Sequence, residues 1–165
     1  GARAFPHGGY WRDVGTVESY WQGHMDLLGD PPPLRLDHPE WPVRSAATLR
    51  VPARLARSAR VDDALLSPGV RVAGVVERSV LGPGVVVEEG AEVRDSVLLH
   101  DVVVRRGARV SRALVDEGCT IGADAVVGGA EADAADDAHG IAVLGQRARV
   151  ADGGRVRAGE AVDAA

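Results

Sequence analysis

Aliphatic residues recur at a fixed spacing through the second half of the chain. The segment SVLGPGVVVEEGAEVRD, residues 79–95, aligns without gaps on SVLLHDVVVRRGARVSR, residues 96–112, and ALVDEGCTIGADAVVG, residues 113–128, continues the register. The repeat is seventeen residues long, with aliphatic positions six residues apart within a repeat and five apart between repeats. These positions are Leu81, Val87, Val93, Leu98, Val104, Val110, Val115, Ile121 and Val127. A fixed period of this length predicts stacked units that bury one continuous core.

A six-residue spacing predicts short strands separated by corners. It matches neither the 3.6-residue period of an α-helix nor the two-residue alternation of a half-buried strand. We interpret each hexad as one flat side of a three-sided coil, with one aliphatic side chain on the axis and small residues or glycines at the corners. The pattern therefore predicts a mainly β protein, a left-handed parallel β-helix of the hexapeptide-repeat type. Small or β-branched residues mostly follow four positions after the aliphatic ones: Val85, Ala91, Val97, Val102, Ala108, Cys119 and Ala125.

The β-helix is expected to span residues 61–165 with one interruption. An upstream coil fits at Leu66, Val72 and Val76, with two residues missing from the repeat. An acidic, alanine-rich excursion at 128–140 breaks the pattern and predicts a loop or a short helix. A last coil is expected to cap the end of the prism, because an open end exposes strand edges and core. It follows from the spacing of six at Leu144, Val150, Val156 and Val162.

Residues 1–30 carry a different pattern, with aromatic residues that the repeats lack. Helical spacing predicts a helix over 17–28, with Thr16 as its N-cap and Gly29 as its stop. The preceding FPHGGYWRDVG predicts a turn and a short strand. Five prolines within 31–43 exclude regular helix or central strand, so 31–60 is expected to be an extended linker. The residues assigned to one helix face are Val17, Tyr20, Trp21, His24 and Leu28.

Composition excludes several classes of function. The formal net charge of −5 favours neither nucleic acid nor an anionic membrane as a partner. The single cysteine, Cys119, excludes an internal disulfide and is typical of a reducing cytoplasm, the expected location. No apolar run approaches the ~20 residues of a membrane span, and no signal peptide is visible. All nineteen basic residues are arginines, so no lysine can hold a substrate phosphate.

Chemistry-bearing residues within the repeats are few. His100 is the candidate base of a hexapeptide acyltransferase, although a solvent-facing turn residue is the simpler interpretation. A zinc site of three histidines is not expected, since only His100 and His139 lie in the repeat half. Cys119 occupies a small repeat position and is expected to be a packed thiol. Four arginines could form an anion-binding stripe or simply a solubilising surface: Arg105, Arg106, Arg109 and Arg112.

Asp13 stands out in the opening segment. It lies at the end of the expected short strand and just before the expected helix. A carboxylate there can hold a divalent cation or orient a phosphate, or it can simply organise the turn.

The order of motifs resembles one enzyme family. G-Y-W-R-D-V-G-T, an aromatic helix ending in M-D-L-L, a proline linker with W-P-V-R, and hexapeptide coils follow one another. This order is similar to the C-terminal part of the bacterial glucose-1-phosphate adenylyltransferase family, which belongs to the sugar-phosphate nucleotidyltransferases. On this resemblance, residues 1–30 are the last strand and helix of an α/β catalytic domain.

The resemblance implies a reaction and roles for several residues. The family joins ATP and α-glucose-1-phosphate into ADP-glucose and pyrophosphate for glycogen or α-glucan synthesis, with Mg²⁺ neutralising phosphate charge. It implies that Asp13 is a ligand of that metal and that Trp11 and Arg12 lie near the nucleotide. The family's glycine-rich phosphate loop, second metal aspartate and sugar-phosphate lysine are absent. The chain alone is therefore expected to be inactive.

The resemblance also implies that the β-helix assembles a homotetramer and helps to bind phosphorylated metabolite effectors. Arg44 and Arg147 are the candidate effector contacts; Gln146 matches the second position equally well, and Arg44 can instead tether the linker to the catalytic domain. Glu117 occupies a position where a basic residue of the enterobacterial type is expected, which argues against fructose bisphosphate as the activator.

Three alternatives remain open. A trimeric acyltransferase binding coenzyme A would leave the WRDVGT segment unexplained. A guanylyl- or thymidylyltransferase would keep the metal aspartate and use another base or sugar. A non-catalytic, effector-binding scaffold would have lost its active domain.

Overall fold

The described part of the chain forms one helix followed by a series of short strands. The computed structural model describes residues 2–41, 43, 49–129 and 140–163. Helix α1 spans Val17–Met25, and a 3₁₀ turn, Asp26–Leu28, continues it. The strands are β1 Arg54–Leu55, β2 Arg60–Leu66, β3 Arg71–Val72, β4 Val75–Leu81, β5 Val86–Val87, β6 Glu92–Arg94, β7 Val97–Leu98, β8 Val103–Val104, β9 Arg109–Ser111, β10 Ala113–Val115, β11 Thr120–Ile121, β12 Val126–Gly128, β13 Ala142–Leu144, β14 Arg149–Val150, β15 Arg155–Val156 and β16 Ala161–Val162.

The strands stack in parallel into a β-solenoid of about six turns, which confirms the mainly β, hexapeptide-repeat fold. Each turn places its aliphatic side chains directly over those of the turn before, in three columns. From Val72 to Val156 the column residues are at most 8% exposed, so the axial core expected from the spacing is present. The columns are Leu66, Leu81, Leu98, Val115, Leu144 and Val162; Leu55, Val72, Val87, Val104, Ile121 and Val150; and Val61, Val76, Val93, Val110, Val127 and Val156.

The irregular ends of the repeat keep the same register. Val72 and Val76 pair with Val87 and Val93, so the two missing residues of the upstream coil fall between them. The excursion expected at 128–140 lies largely outside the described residues. Beyond it, β13 pairs in register with β10 and the coil resumes at Leu144. At the other end, strand β1 begins at Arg54 and pairs with β3, inside the range expected as linker.

The short strand expected ahead of the helix is absent, because residues 2–15 contain no strand. A strand needs a partner for its backbone, and no described strand runs beside this segment. The helix itself is as expected at its start. The Thr16 hydroxyl accepts a hydrogen bond from the Ser19 amide at 3.1 Å, and the Ser19 hydroxyl accepts one from the Thr16 amide. Among the described residues, no helix combines the length and apolarity that crossing a bilayer requires.

One outer face of the solenoid is apolar, and helix α1 covers it. Outward-pointing residues of the first column's strands form a continuous row, and Val97 is fully buried within it. Trp21 and Met25 pack on this row, which we call the apolar face. Val97, one of the residues that follow the aliphatic positions by four, lies in strand β7 and faces the helix rather than the axis. The apolar face consists of Val80, Val97, Leu99, Leu114, Ile141 and Val143.

The helix presents only part of its expected face to the solenoid. Trp21, Met25 and Leu28 pack on the apolar face, whereas Val17 is 46% exposed and points elsewhere. Tyr20 and His24 are half-buried and line a groove on another side of the helix. The five residues expected on one face are therefore divided: Trp21 and Leu28 face the solenoid, Tyr20 and His24 line the groove, and Val17 does neither.

A corner of the solenoid fixes the helix through polar contacts. At this corner, which we call corner 3, one residue in each of four successive turns adopts a positive φ of 44–48°. These residues are Asp63, Arg78, Asp95 and Arg112. Their charges alternate, and Arg78 Nε lies 2.7 Å from Asp95 Oδ1. The Trp21 indole N–H donates to the Asp95 carbonyl at 2.8 Å. Arg112 stacks over the Trp21 ring at 4.5 Å and pairs with Glu18 at 3.1 Å.

The chain rejoins the solenoid at an ion pair between Arg50 and Asp101, which we call the latch. Val51 accepts a hydrogen bond from the Gly69 amide at 2.7 Å. Arg50 binds Asp101 with two parallel hydrogen bonds of 2.7 and 2.8 Å. The guanidinium lies across Gly84, where a β-carbon would collide with both Arg50 and Asp101. Arg50 and Val51 thus attach this part of the chain to the solenoid.

Replacement of Trp21 by alanine tests the docking of the helix. An isolated nine-residue helix is marginal in water, so α1 depends on its contact with the apolar face. In Trp21→Ala we expect the α1 amides to exchange with solvent at least about tenfold faster, with little change in solenoid melting. Trp41→Ala, at a side chain that is 82% exposed, is the matched control. Unchanged exchange of α1 in Trp21→Ala would contradict the packing described.

The Arg50–Asp101 pair predicts a pH-dependent contribution to stability. Hydrogen bonding from Arg50 lowers the pKa of Asp101 below its ordinary value. A lowered folded-state pKa stabilises the fold above the unfolded pKa, and this contribution disappears as pH falls through the folded pKa. Wild type is therefore expected to melt above Asp101→Asn at neutral pH, with the difference closing below about pH 3.9.

Asp124→Asn is the control for this measurement. Asp124 has a positive φ of 55° at another corner and forms no ion pair within the described residues. Asparagine tolerates that conformation in both variants, so only loss of the pair separates them. An equal, pH-independent change in both proteins would exclude the latch.

Candidate functional site

The segment Tyr10–Val14 lies against helix α1 rather than in a sheet. It crosses the helix at Gly23, where an added β-carbon would stand 3.4 Å from Arg12 Cδ and 3.7 Å from Val14 Cγ1. These are ordinary van der Waals distances, so the segment lies close to the helix here, and a side chain larger than a methyl group would meet Arg12 or Val14.

A single carboxylate, Asp26, ties the segment to the end of the helix. Its Oδ2 accepts hydrogen bonds from the Tyr10 hydroxyl at 2.8 Å and from Arg12 Nε at 2.7 Å. Its Oδ1 accepts one from Gln22 Nε2 at 2.9 Å. The hydrogen bond from Gln22, with those from Tyr10 and Arg12, lowers the pKa of Asp26, against the opposing effect of burial. Hydrogen bonding to Tyr10 and pairing with Asp26 raise the pKa of Arg12.

Asp13 is exposed and organises the start of the helix. Its Oδ1 accepts a hydrogen bond from the Gly15 amide at 3.0 Å, immediately before the cap formed by Thr16. No cluster of three or more His, Cys, Asp or Glu side chains in the described ranges could hold a metal ion. These residues therefore do not form a complete magnesium site, and Asp13 can supply one ligand at most.

An open groove of ≈ 350 Å³ lies between the segment and the helix. Trp11, 75% exposed, stands at this groove, and the Arg12 stem forms part of its wall. The groove is mostly apolar and aromatic, which suits a second protein surface or a flat ring better than a bare phosphate. Its lining residues are Tyr10, Trp11, Arg12, Val14, Tyr20, Gly23, His24, Leu27 and Leu34.

Of the two candidate effector arginines, Arg147 does not line this groove. Arg44 lies outside the described residues. Arg147 is exposed at a solenoid corner, with a positive φ of 61°, and its amide donates to the Glu117 carbonyl at 2.8 Å. Gln146 hydrogen-bonds the Glu117 carboxylate, so an acidic side chain stands beside this corner.

The residues of the rival interpretations have ordinary surroundings. His100 is exposed beside Asp101, which is engaged by Arg50. Cys119 is fully buried, its thiol contacts the Gly145 carbonyl at 3.0 Å, and burial raises its pKa. Among the four arginines of the supposed anion stripe, Arg112 belongs to the helix contact instead.

Sequence reasoning missed Asp26, Gln22 and Gly23. Asp26 is the aspartate of M-D-L-L, a motif that carried the resemblance without a role for its polar residue. A glycine in the middle of an expected helix was the available signal for a close approach. The partner of Asp26 could not be read from spacing, since sixteen residues separate it from Tyr10.

Comparison with known proteins agrees with this architecture. Residues 47–156 match the family described as GlmU-like, C-terminal hexapeptide. The chain is 42% identical over 125 residues to a glucose-1-phosphate adenylyltransferase of Desulforamulus reducens, covering 72% of this chain and 31% of that protein. It is 31% identical over 165 residues to the enzyme of that name from Acetivibrio thermocellus, covering 97% of this chain and 39% of that protein. A relative of the same name from Corynebacterium jeikeium is 38% identical over 122 residues, covering 73% of this chain and 30% of that protein.

The chain thus spans between about a third and two fifths of the length of these relatives and matches their C-terminal portion. The residues that match the family are largely those that form the stacked turns and their axial columns. Because that match covers more than half of the sequence, the chain belongs to the GlmU-like, C-terminal hexapeptide family.

Proposed function

We propose that the chain is the regulatory and assembly part of a glucose-1-phosphate adenylyltransferase. The observation that carries this proposal is the alignment with the Acetivibrio thermocellus enzyme, which includes the N-terminal segment as well as the solenoid. A likeness confined to the coils would be compatible with many hexapeptide proteins, since a fold alone does not imply a function. The segment Tyr10–Val14, packed on α1, is foreign to the solenoid and suits the edge of a catalytic domain.

In the proposed reaction, α-glucose-1-phosphate attacks the α-phosphorus of ATP, ADP-glucose forms and pyrophosphate leaves. Magnesium, when bound, would neutralise phosphate charge. We assign Asp13 as one of its ligands, with the other ligands supplied by the part of the relatives that this chain does not cover. Trp11 would border the nucleotide. Arg12, paired with Asp26, would hold the backbone of this segment rather than grip a phosphate.

The groove and the exposed apolar residues around it suit contact with the remainder of a catalytic domain. Trp11 and Val14, which line the groove, are 75% and 56% exposed, and Val17 at the start of the helix is 46% exposed. Side chains of this kind are costly to leave in water, and such patches mark interfaces. The solenoid would then provide the surface for a homotetramer.

Phosphorylated effectors would need arginine donors, because the chain has no lysine. Arg147 and Arg44 are the proposed contacts. Glu117, close to Arg147 through its carbonyl and to Gln146 through its carboxylate, disfavours a bisphosphate at this corner.

The proposal predicts which polypeptide is active. The chain alone is expected to release no pyrophosphate from ATP and glucose-1-phosphate, whereas a longer protein that contains this chain after a catalytic domain is expected to do so. In the longer protein Asp13→Asn should lower kcat by at least about a hundredfold. Asp62→Asn, at an exposed solenoid position, is the control. Parallel assays with GTP and dTTP test the guanylyl and thymidylyl alternatives, and acetyl transfer from acetyl-coenzyme A tests the acyltransferase.

A further inference from the structure

We propose that Asp26 is a positioning residue that holds Asp13 in place. This inference rests on the proposed function of Asp13 as a ligand in nucleotidyl transfer. Asp26 is engaged by side chains of this chain: Tyr10, Arg12 and Gln22. It acts through Tyr10 and Arg12, the residues that lead into Asp13.

Asp13 is fixed from both sides along the chain. On its C-terminal side, its own carboxylate binds the Gly15 amide, and Thr16 and Ser19 form the reciprocal cap of α1. On its N-terminal side, Arg12 is bound to Asp26 through both Nε and Nη2 at 2.7 Å. A carboxylate held at both flanks keeps its direction without being buried, which is what a ligand shared with another domain requires.

The N-terminal restraint depends on Asp26. Within the described ranges, the Tyr10 hydroxyl and the Arg12 guanidinium bond only to Asp26 and to each other. Residues 10–14 make no backbone hydrogen bond to another element of the described chain. The remaining restraint is the van der Waals contact of Arg12 and Val14 at Gly23, which is not directional.

The charge of Asp26 matters as well as its shape. Its two oxygens receive donors from three side chains, and the carboxylate is only 16% exposed. An ionised carboxylate accepts at every lone pair, whereas asparagine would turn an N–H₂ group toward either Gln22 or the Tyr10–Arg12 pair. The Gln22 amide can turn to accept from that N–H₂ group, so the asparagine oxygen can still face Tyr10 and Arg12, but as a neutral acceptor. Asp26→Asn therefore removes the ion pair from the contact of Asp26 with Tyr10 and Arg12, which we call the clamp, although the side-chain volume is nearly unchanged.

Trypsin provides a direct test on the chain itself, because Arg12 must leave Asp26 to enter the protease. Cleavage after Arg12, relative to cleavage after the exposed Arg3, is measured by mass spectrometry in native buffer. In Asp26→Asn this ratio is expected to rise at least about tenfold, since cleavage follows the population of the released state. Tyr10→Phe, which removes one donor and leaves the helix intact, should raise it by a smaller factor.

Asp37→Asn is the matched control. It removes an aspartate that pairs with Arg35 on the exposed linker, at 3.3 Å, and should leave the Arg12-to-Arg3 ratio unchanged. Amide exchange within α1 must also stay at its wild-type rate in Asp26→Asn, so that release of the segment is separated from loss of the helix. An unchanged tryptic ratio in Asp26→Asn overturns the clamp.

Kinetics of the longer protein test the positioning role. Asp26→Asn is expected to lower kcat at least about tenfold while the KM values for ATP and glucose-1-phosphate stay within about twofold. Faster cleavage with an unchanged kcat would overturn the link to Asp13 while leaving the clamp. A wild-type protein without nucleotidyl transfer would instead remove the proposed function, and the tryptic ratio would still report on the clamp.

Discussion

Stacking of aliphatic side chains along the axis is the constraint on which the rest of the structure depends. Each turn must place three side chains over those of the previous turn, because the strands of each side are too short to bury a core alone. Leu98, for example, lies over Leu81 and under Val115. The register therefore fixes which residues face outward, and so determines the surfaces available for other contacts.

Those outward surfaces differ from one side to the next. One carries the apolar face, and the Trp21 side chain both packs on it and hydrogen-bonds the backbone at Asp95. The adjoining corner receives the returning chain through Arg50 and Asp101. Helix α1 and the chain at Arg50 are thus both held against the solenoid, which contains most of the buried apolar side chains among the described residues.

The axial core was predictable because every turn requires an aliphatic side chain at the same positions, six residues apart. Val87, Val104 and Ile121 occupy equivalent positions on successive turns and pack in the same way, so the requirement is visible as a repeat in the sequence. The helix cap at Thr16 was predictable for a similar reason, since the cap is a local interaction. The burial of Val97 was not, because it depends on a helix more than seventy residues away along the chain.

The candidate site was only partly accessible from the sequence. Asp13, Trp11 and Arg12 could be named from a motif, but the motif does not reveal that Arg12 binds Asp26 across fourteen residues. The prediction of a short strand ending at Asp13 was wrong for a physical reason. Local sequence favoured an extended backbone, and the partner that would turn it into a strand is not among the described elements.

The alternating charges of corner 3 limit how this molecule can change its length in evolution. Arg78 stands between Asp63 and Asp95 on successive turns, and Arg112 follows. Duplication or loss of one of these turns would place like charge next to like charge. Insertion of two turns would keep opposite charges adjacent. A pair of turns, rather than the single turn of the visible repeat, is thus the smallest unit that this corner accommodates without repulsion.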